Sequence, residues 1–384
     1  MKRRVFYRAR AAAEGEGVVS HAGVYHVVSR VVDGRKIFGD GEKEVFRGMV
    51  ESFAAFHQIE VLTFCLMGNH FHLLVRVPER PAGFDMELEP MLELLGRAVG
   101  ARRMKLLRSQ FRVWEECGGK EGIEAWRRRM LLRMFNLSEF MKALKQRFSQ
   151  WYNRSRGRRG VLWEARYRSV VVQEEVAALR TMATYIDLNP VRSRLVEDPG
   201  SYRWSGYGEA MAGKAAAMEA IARVTGYTCE AVHGCGLGEK PKPESPGERR
   251  RRHLRALVAY RQMLGVTGRE RRRADGTLVR QGLSERVRAR LEKQGSPGRR
   301  ATAAVRHEQL LRRVRHFTDG VVLGSREFIN SWFAAHRSWF GGASAKDRKD
   351  GARPMGSDWK GSGLFTLRKL GEAKGPTVAG DSVA

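Results

Sequence analysis

The sequence predicts an α+β fold, a ferredoxin-like antiparallel sheet with helices packed on one side. Along residues 24–207, segments with the two-residue alternation of strands take turns with segments of helical spacing. Within that order, two consecutive strand segments are separated only by a short Gly-Asn turn, which is typical of an antiparallel hairpin. A basic, mainly helical region is expected to follow this domain.

The first two elements are a strand and a helix. Residues 24–32 are rich in β-branched side chains and predict a strand. Residues 43–56 repeat apolar side chains every three or four positions and predict a helix. The strand ends before the helix begins, so the order strand, helix opens the domain.

The predicted hairpin carries a pair of histidines. Residues 59–67 and 70–77 predict its strands, and the second strand contains His70 and His72. Side chains two residues apart on a strand point to the same face of the sheet. Two neutral imidazoles held in this way can bind a divalent metal ion. The alternative, an ordinary strand with two partly exposed histidines, stays open on this motif alone.

The middle of the chain predicts three further elements. Residues 84–99 predict a helix, and residues 101–135 form a basic, Trp-containing stretch. Ser138 is the predicted N-cap of a helix that runs to residue 153. Residues 161–173 then predict the fourth strand.

A helix that starts at residue 173 or 174 places Tyr185 and Asn189 on one face. They are four residues apart and lie at the border of the apolar stripe, where a tyrosine is not a typical core residue. Pro190 disfavours the helical conformation for Asn189, so the helix is expected to end there and the amide to turn toward a ligand. The alternative is a capping asparagine beside an amphipathic tyrosine.

Five blocks in this order resemble the HUH single-tyrosine transposases, in the branch of the REP-associated tyrosine transposases. They are YHVVSR at 25–30, HFH at 70–72, GVLWEARY at 160–167, YIDLNPVR at 185–192 and YRWS at 202–205. The likeness spans about residues 25–207. One H-x-H motif is weak support, whereas the ordered set of blocks is specific.

The resemblance implies roles for four residues. In this family the paired histidines bind a catalytic Mg²⁺ or Mn²⁺, the helical tyrosine is the nucleophile, and the polar residue four positions later completes the metal site. These roles fall on His70 and His72, on Tyr185 and on Asn189. The family also implies an HUH endonuclease fold, nicking of single-stranded DNA beside a hairpin through a 5′-phosphotyrosine, and strand transfer.

The charge of the chain agrees with a DNA partner. The net charge is +29 and the pI about 10.7, which predicts salt-sensitive attraction to phosphates. Residues 241–316 hold 22 Lys/Arg against 7 Asp/Glu. Candidate DNA contacts are Arg166, Arg192 and the pair Arg158 and Arg159 in a basic turn. The alternative for such basic runs is a solvated segment without a partner.

The chain is expected to divide into three parts. Residues 1–210 would form the transposase domain, with the insertion at about 101–135. Residues 211–240 would form a small helical unit, either a helix-turn-helix or an ordinary helical hairpin. Residues 241–384 would form a basic DNA-binding or accessory region, partly disordered. Monomer and homodimer are both left open.

Membrane and secreted classes are not expected. The sequence contains no apolar run of about 18 residues, and its N-terminus lacks the apolar core of a signal peptide. The four cysteines show no C-x-x-C pair, as expected for free thiols in a reducing compartment. These features predict a cytoplasmic protein, and the resemblance implies a bacterial, nucleoid-associated one.

Three functions compete on the sequence. The first is an active transposase that nicks hairpin-flanked single strands, and the second is a hairpin-DNA-binding regulatory protein without transposition activity. The third is a metal-dependent hydrolytic nuclease in which Tyr185 is only structural. The complete set of His70, His72, Tyr185 and Asn189 favours the first, since a protein that had lost the activity would be free to lose these residues.

Overall fold

The computed structural model describes most of the chain between residues 22 and 368. The described residues are 22–117, 119–229, 244–268, 271–272, 278–293, 317, 320–337, 351–354 and 363–368. The end of the helical unit predicted at 211–240, most of the linker after it and the C-terminal tail lie outside these residues. Within the described ranges, no helix is both long and apolar enough to cross a lipid bilayer.

The centre of the fold is an antiparallel sheet of four strands in the order β2-β3-β1-β4. These strands are β1 (Gly23–Arg30), β2 (Glu60–Leu66), β3 (His70–Val77) and β4 (Arg168–Val172). Strands β2 and β3 form the hairpin that the Gly-Asn turn predicted. The predicted α+β class with an antiparallel sheet is confirmed.

Three strands from the C-terminal region extend this sheet beyond β4. They are β7 (Gly320–Gly324), β8 (Arg353–Pro354) and β9 (Phe365–Arg368). Strand β7 pairs with β4 in parallel, with Val322 opposite Val171, and β9 and β8 follow antiparallel. A separate ribbon consists of β5 (Arg271–Arg272) and β6 (Leu278–Arg280). The region predicted as mainly helical therefore also contributes strands to the central sheet.

The helices of the described residues account for most of the remaining structure. They are α1 (Asp40–Phe56), α2 (Leu88–Val99), α3 (Ala101–Glu116), α4 (Lys120–Leu131), α5 (Leu137–Ser155), α6 (Val176–Asp187), α7 (Asn189–Arg192), α8 (Gly206–Met211), α9 (Ala215–Val224), α10 (Pro246–Thr267), α11 (Glu285–Lys293) and α12 (Arg326–Ala335). The stretch predicted as an insertion folds into α3 and α4.

Helices cover both faces of the sheet. Helices α1 and α5 pack on the face that carries Phe71, since the ring of Phe46 lies 4.7 Å from Phe71 and 5.0 Å from Phe148. Helix α6 packs on the opposite face, where Tyr185 lies beside His72. The expectation of helices on one side is therefore wrong: successive residues of β3 point to opposite faces, and both sets are buried.

Two elements are shorter than predicted because their ends make tertiary contacts instead. Strand β4 begins at residue 168 rather than 161. Residues 161–167 run irregularly, and Trp163 donates its indole N–H to the carbonyl oxygen of Lys145. Helix α2 begins four residues later than predicted, and Phe84 packs its ring against Phe135 outside the helix.

Helix α5 is capped by a different residue from the predicted one. The side-chain oxygen of Asn136 accepts a hydrogen bond from the backbone N–H of Glu139. Ser138 lies inside the first turn and hydrogen-bonds to the hydroxyl of Tyr167. The prediction that Ser138 caps this helix is wrong, because the side chain of Asn136 accepts the hydrogen bond from the free N–H of Glu139.

The helix that carries the tyrosine ends shortly before Pro190, as expected, but a second short helix follows it directly. Helix α6 ends at Asp187, and α7 begins at Asn189 after one intervening residue. Pro190 occupies the first turn of α7, where a missing N–H is tolerated. The expectation of a non-helical Asn189 is wrong for this reason.

A buried carboxyl joins α6 to two other elements. Asp187 is fully buried and accepts hydrogen bonds from the hydroxyl of Thr63 on β2 (2.9 Å) and from the hydroxyl of Tyr260 on α10 (2.5 Å). Burial raises the pKa of Asp187 from 3.8 to about 7, despite these hydrogen bonds to the carboxylate. Helix α10, from the basic region, is thus tied to the helix of Tyr185.

Asp187 makes stability fall as pH rises. Its pKa is higher in the folded than in the unfolded chain, so the folded state holds the extra proton between about pH 4 and 7, and this stabilisation is lost as pH rises through that window. We expect Asp187→Asn, which cannot ionise, to gain stability relative to the parent protein between pH 5 and pH 8. Urea unfolding at both pH values measures this, with Asp33→Asn at an exposed carboxyl as control. A difference independent of pH would contradict the assignment.

Candidate active site

The register of two neighbouring strands places three histidines on one face of the sheet. Val28 of β1 lies opposite His72 of β3, and Arg30 lies opposite His70. Since side chains alternate along each strand, His26 shares the face of His70 and His72. The ring centroids of His26 and His72 are 5.2 Å apart, and those of His70 and His72 are 5.0 Å apart.

Helix α6 places Tyr185 against this group of imidazoles. The centroid of its ring lies 5.9 Å from the ring centroid of His72 and 5.9 Å from that of His26. Tyr185 is only 2% exposed. Three of the four residues named by the resemblance, His70, His72 and Tyr185, are therefore gathered at one place.

A chain of hydrogen bonds fixes the proton positions on two imidazoles. Nδ1 of His26 lies 2.8 Å from the carbonyl oxygen of Phe317, which can only accept, so Nδ1 donates. Burial lowers the pKa of His26 to about 4, and the neutral ring then keeps Nε2 as an acceptor. Nδ1 of His72 lies 3.0 Å from that Nε2 and must donate to it. His72 is left with an unprotonated Nε2.

His70 has the same tautomer for a local reason. Its Nδ1 lies 2.6 Å from Oδ1 of Asn69, and Nδ2 of Asn69 donates to the carbonyl oxygen of Gly34. This second contact orients the amide, so Asn69 Oδ1 accepts and His70 Nδ1 donates. Burial, with the charge of Arg30, lowers the pKa of His70 to about 4. Burial also lowers the pKa of His72, well below 6.5.

Asn189 interacts with its own helix. Its Nδ2 donates to the carbonyl oxygens of Tyr185 (3.0 Å) and Ile186 (3.2 Å), which closes the end of α6. The amide nitrogen therefore has the capping role that the sequence left open as an alternative. The amide oxygen is the atom that could act as a metal ligand.

A cation and an aromatic ring flank Tyr185. Cζ of Arg192 lies 5.1 Å from the centroid of the Tyr185 ring, and Nη1 of Arg192 donates to the Tyr185 carbonyl oxygen. The ring of Phe317 stacks on Tyr185 with centroids 4.6 Å apart. Positive charge thus lies against the phenol ring, and Phe317 covers part of it.

The other candidate DNA contacts lie away from this centre. Arg166 is exposed and lines a cavity of about 430 Å³ on the α5 side of the sheet, together with Lys142 and Lys145. Arg159 is exposed, whereas Arg158 is held by hydrogen bonds within its own turn. Of the four arginines, Arg192 is the one that contacts the tyrosine.

Two imidazoles at this centre each keep a nitrogen that could bind a divalent metal ion. Among the described residues there is no cluster of three or more His, Cys, Asp or Glu side chains that could hold one. His70 and His72 nevertheless each keep Nε2 unprotonated, which is the form that binds metals. The Asn189 amide oxygen is a third candidate, and phosphate oxygens of a substrate could complete the shell.

Two further residues belong to the centre and are not among the predicted site residues. His26 lies in the YHVVSR block, but its face of the sheet depends on strand register, which cannot be deduced from periodicity. Phe317 lies 291 residues away from His26 and carries no local signal. The alternation within β1 and β3 could have identified His26 if their pairing had been assumed.

Comparisons with known proteins relate one part of the chain to a transposase family. A family model described as "Transposase IS200 like" matches residues 19–82, which include His26, His70 and His72 but not Tyr185. A solved structure described as "Structure of the REP associates tyrosine transposase bound to a REP hairpin" is similar at 12% identity with a TM-score of 0.33. The similarity covers 54% of this chain and 86% of that chain. A search among curated proteins found no match. The family match confirms the resemblance to these transposases.

Removing the Phe317 ring should uncover the tyrosine. We expect Phe317→Ala to raise the reactivity of Tyr185 toward tetranitromethane several-fold, because the stacked ring no longer shields it. Mass spectrometry of the nitrated peptides measures the change. Phe328→Ala, which removes a half-buried ring of α12, is the matched control. Equal nitration of Tyr185 in both variants and the parent would contradict the shielding.

Proposed function

We propose that this protein is a metal-dependent transposase that nicks single-stranded DNA beside a hairpin, with Tyr185 as the nucleophile. The observation that carries the proposal is the position of Tyr185, 5.9 Å between ring centroids from His72 on the histidine face. The match of residues 19–82 to the IS200-like transposases supports it independently. The net charge of +29 suits a DNA substrate.

The metal site would be built from His70, His72 and Asn189. The two Nε2 atoms and the Asn189 amide oxygen would hold Mg²⁺ or Mn²⁺, the ions that the resemblance implies. When bound, the ion neutralises charge on the non-bridging oxygens of the scissile phosphate and orients it. The chain itself contributes two neutral imidazoles, those of half-buried His70 and buried His72. Because both rings are neutral, no proton competes with the ion for their Nε2 atoms.

The nicking step is a transesterification. The hydroxyl oxygen of Tyr185 would attack the phosphorus, the phenol would lose its proton, and the bond from phosphorus to O3′ would break. The products are a 5′-phosphotyrosine and a 3′-hydroxyl. Arg192 lies against the phenol ring, where its charge favours the negative charge that develops on attack. The retained phosphoester energy would allow strand transfer to another 3′-hydroxyl without a nucleotide.

The DNA would contact a basic surface beyond the centre. Arg166, Arg158 and Arg159 remain candidates, with Arg192 at the tyrosine. Helix α10 adds exposed arginines from the region predicted as accessory, among them Arg250, Arg251 and Arg255. The division into residues 1–210, 211–240 and 241–384 stays a prediction.

A regulatory protein that binds hairpin DNA without transposition is the second candidate. The observation that favours it is the closed state of the centre. Tyr185 is 2% exposed and stacked under Phe317, and the Asn189 amide is engaged with its own helix. A phosphate would reach the phenol only after side chains that bury Tyr185, Phe317 among them, move.

The nucleophile is tested by covalent capture. With Mn²⁺ and a 5′-labelled and a 3′-labelled hairpin oligonucleotide, we expect a protein-linked band on a denaturing gel from the 3′-labelled strand only. Tyr185→Phe should abolish that band because no phenolic oxygen remains. Tyr152→Phe, a tyrosine on α5, should retain it.

The outcomes separate the three functions. A linked band lost in Tyr185→Phe supports the transposase. Cleavage that survives in Tyr185→Phe supports the hydrolytic nuclease and contradicts the proposal. Tight binding with no cleavage by the parent protein or by Phe317→Ala supports the regulatory protein.

The basic surface is tested by salt dependence. Replacing Arg250, Arg251 and Arg255 by Gln should weaken oligonucleotide binding and flatten the slope of log K against log salt by about 0.7 per lost contact with single-stranded DNA. Fluorescence anisotropy over a salt series measures the slope. The same triple change on the exposed face of α3, at Arg102, Lys105 and Arg112, is the matched variant. If only the second triple lowers the slope, the insertion and not α10 contacts DNA.

A further inference from the structure

We propose that His26 is a positioning residue of the metal site. It would hold His72 in the tautomer that presents an unprotonated Nε2, and the carbonyl oxygen of Phe317 would hold His26 in the matching tautomer. The inference rests on the proposed function in one respect, the assignment of His70 and His72 as metal ligands.

The chain of hydrogen bonds allows one arrangement of protons. The Phe317 carbonyl oxygen has no proton, so it accepts from Nδ1 of His26 at 2.8 Å. A neutral imidazole has a single N–H, so Nε2 of His26 accepts from Nδ1 of His72 at 3.0 Å. His72 therefore donates to His26, and His26 donates to the Phe317 carbonyl oxygen.

The packing fixes the ring orientations as well as the protons. The rings of His26 and His72 are nearly parallel, with an interplanar angle of 7° and centroids 5.2 Å apart. His26 is fully buried and His72 is 2% exposed. Tyr185 packs edge-on against both rings. Rotation of the His72 ring would break its hydrogen bond to His26 and its edge-on contact with Tyr185.

The tautomers of the two proposed ligands, His70 and His72, are therefore fixed by different hydrogen-bond partners. The His70 proton is placed by its neighbour Asn69, which is anchored on the Gly34 carbonyl oxygen. The His72 proton is placed by His26 and, through it, by a residue 291 positions further along the chain. A hydrogen-bond partner on the second nitrogen is what orients metal-binding histidines generally, and its loss costs about 10- to 100-fold in metal affinity.

The consequence is that Phe317, far from His72 in sequence, would contribute to metal binding through His26. While the Phe317 ring stacks on Tyr185, the Phe317 carbonyl oxygen holds His26 in one tautomer. His26 in turn holds His72 in the tautomer that can bind a metal ion. Phe317 thus covers part of Tyr185 with its side chain and fixes the tautomer of His26, and through it that of His72, with its carbonyl oxygen.

The tautomers can be measured directly without metal or DNA. Two-bond ¹H–¹⁵N correlation spectra of the full-length protein with ¹⁵N-labelled histidine distinguish Nδ1–H from Nε2–H rings. We expect His26, His70 and His72 to be Nδ1–H forms. An Nε2–H form of His72 in the parent protein overturns the proposal, whatever the variants do.

Metal affinity supplies the second measurement. Titration with Mn²⁺, followed by electron paramagnetic resonance of the free ion, should show His26→Leu to bind about 10- to 100-fold more weakly than the parent protein. His26→Gln keeps an acceptor for His72 and should recover most of that loss. His57→Leu removes another buried imidazole, on the α1 side, and should leave Mn²⁺ affinity unchanged.

The outcomes distinguish this inference from the proposed function. If His70→Ala weakens Mn²⁺ binding but His26→Leu and His26→Gln both bind like the parent, the metal site stands and the role of His26 is overturned. If His70→Ala also binds like the parent, the metal site itself is wrong. Equal weakening by His26→Leu and His57→Leu would mean general destabilisation, which contradicts a specific role for His26.

Discussion

The packing of helix α6 across the histidine face of β1 and β3 is the constraint on which the rest of the centre depends. It removes water from His26, His72 and Tyr185 together, so the imidazoles stay neutral and their protons are placed by neighbours instead of solvent. Neutral imidazoles can bind a cation, whereas charged ones would repel it. Desolvation by one helix thus sets the chemistry of the whole face.

The sequence was sufficient where the signal is local. The spacing of His70 and His72, the Gly-Asn turn before them and the helix of Tyr185 all follow from periodicity and turn preference. The position of Tyr185 beside the histidines came from the order of the family blocks, since no local rule brings residue 185 to residue 72. The position of His26 depends on strand register. Because Val28 pairs with His72, His26 lies on the same face of the sheet as His70 and His72.

The predictions that the structure overturns were wrong for physical reasons. Pro190 was expected to keep Asn189 out of a helix, but Asn189 begins α7, because a proline in the first turn of a helix loses no hydrogen bond. Ser138 was expected to cap α5, but Asn136 satisfies the same N–H. The C-terminal strands escaped notice because short edge strands such as β8 have little periodicity of their own, and pairing with β4 and β9 alone defines them.

The basic C-terminal region cannot be separated from the centre. Arg252 is almost buried and pairs with Glu219 and Glu244, so part of the positive charge is used inside the fold and not against DNA. On the same helix, Ala256, Tyr260 and Leu264 recur every four residues and are buried. Tyr260 reaches Asp187, two residues from the proposed nucleophile.

Helix α10 therefore has two faces with different roles. The buried face of α10 holds the end of α6 through the Asp187 carboxyl, while the opposite face keeps arginines in solvent. A phosphate bound by those arginines would sit on an element that is hydrogen-bonded to the tyrosine helix itself. If the proposed function holds, DNA binding and the position of the nucleophile are coupled through the contacts of α10, among them the buried hydrogen bond from Tyr260 to Asp187.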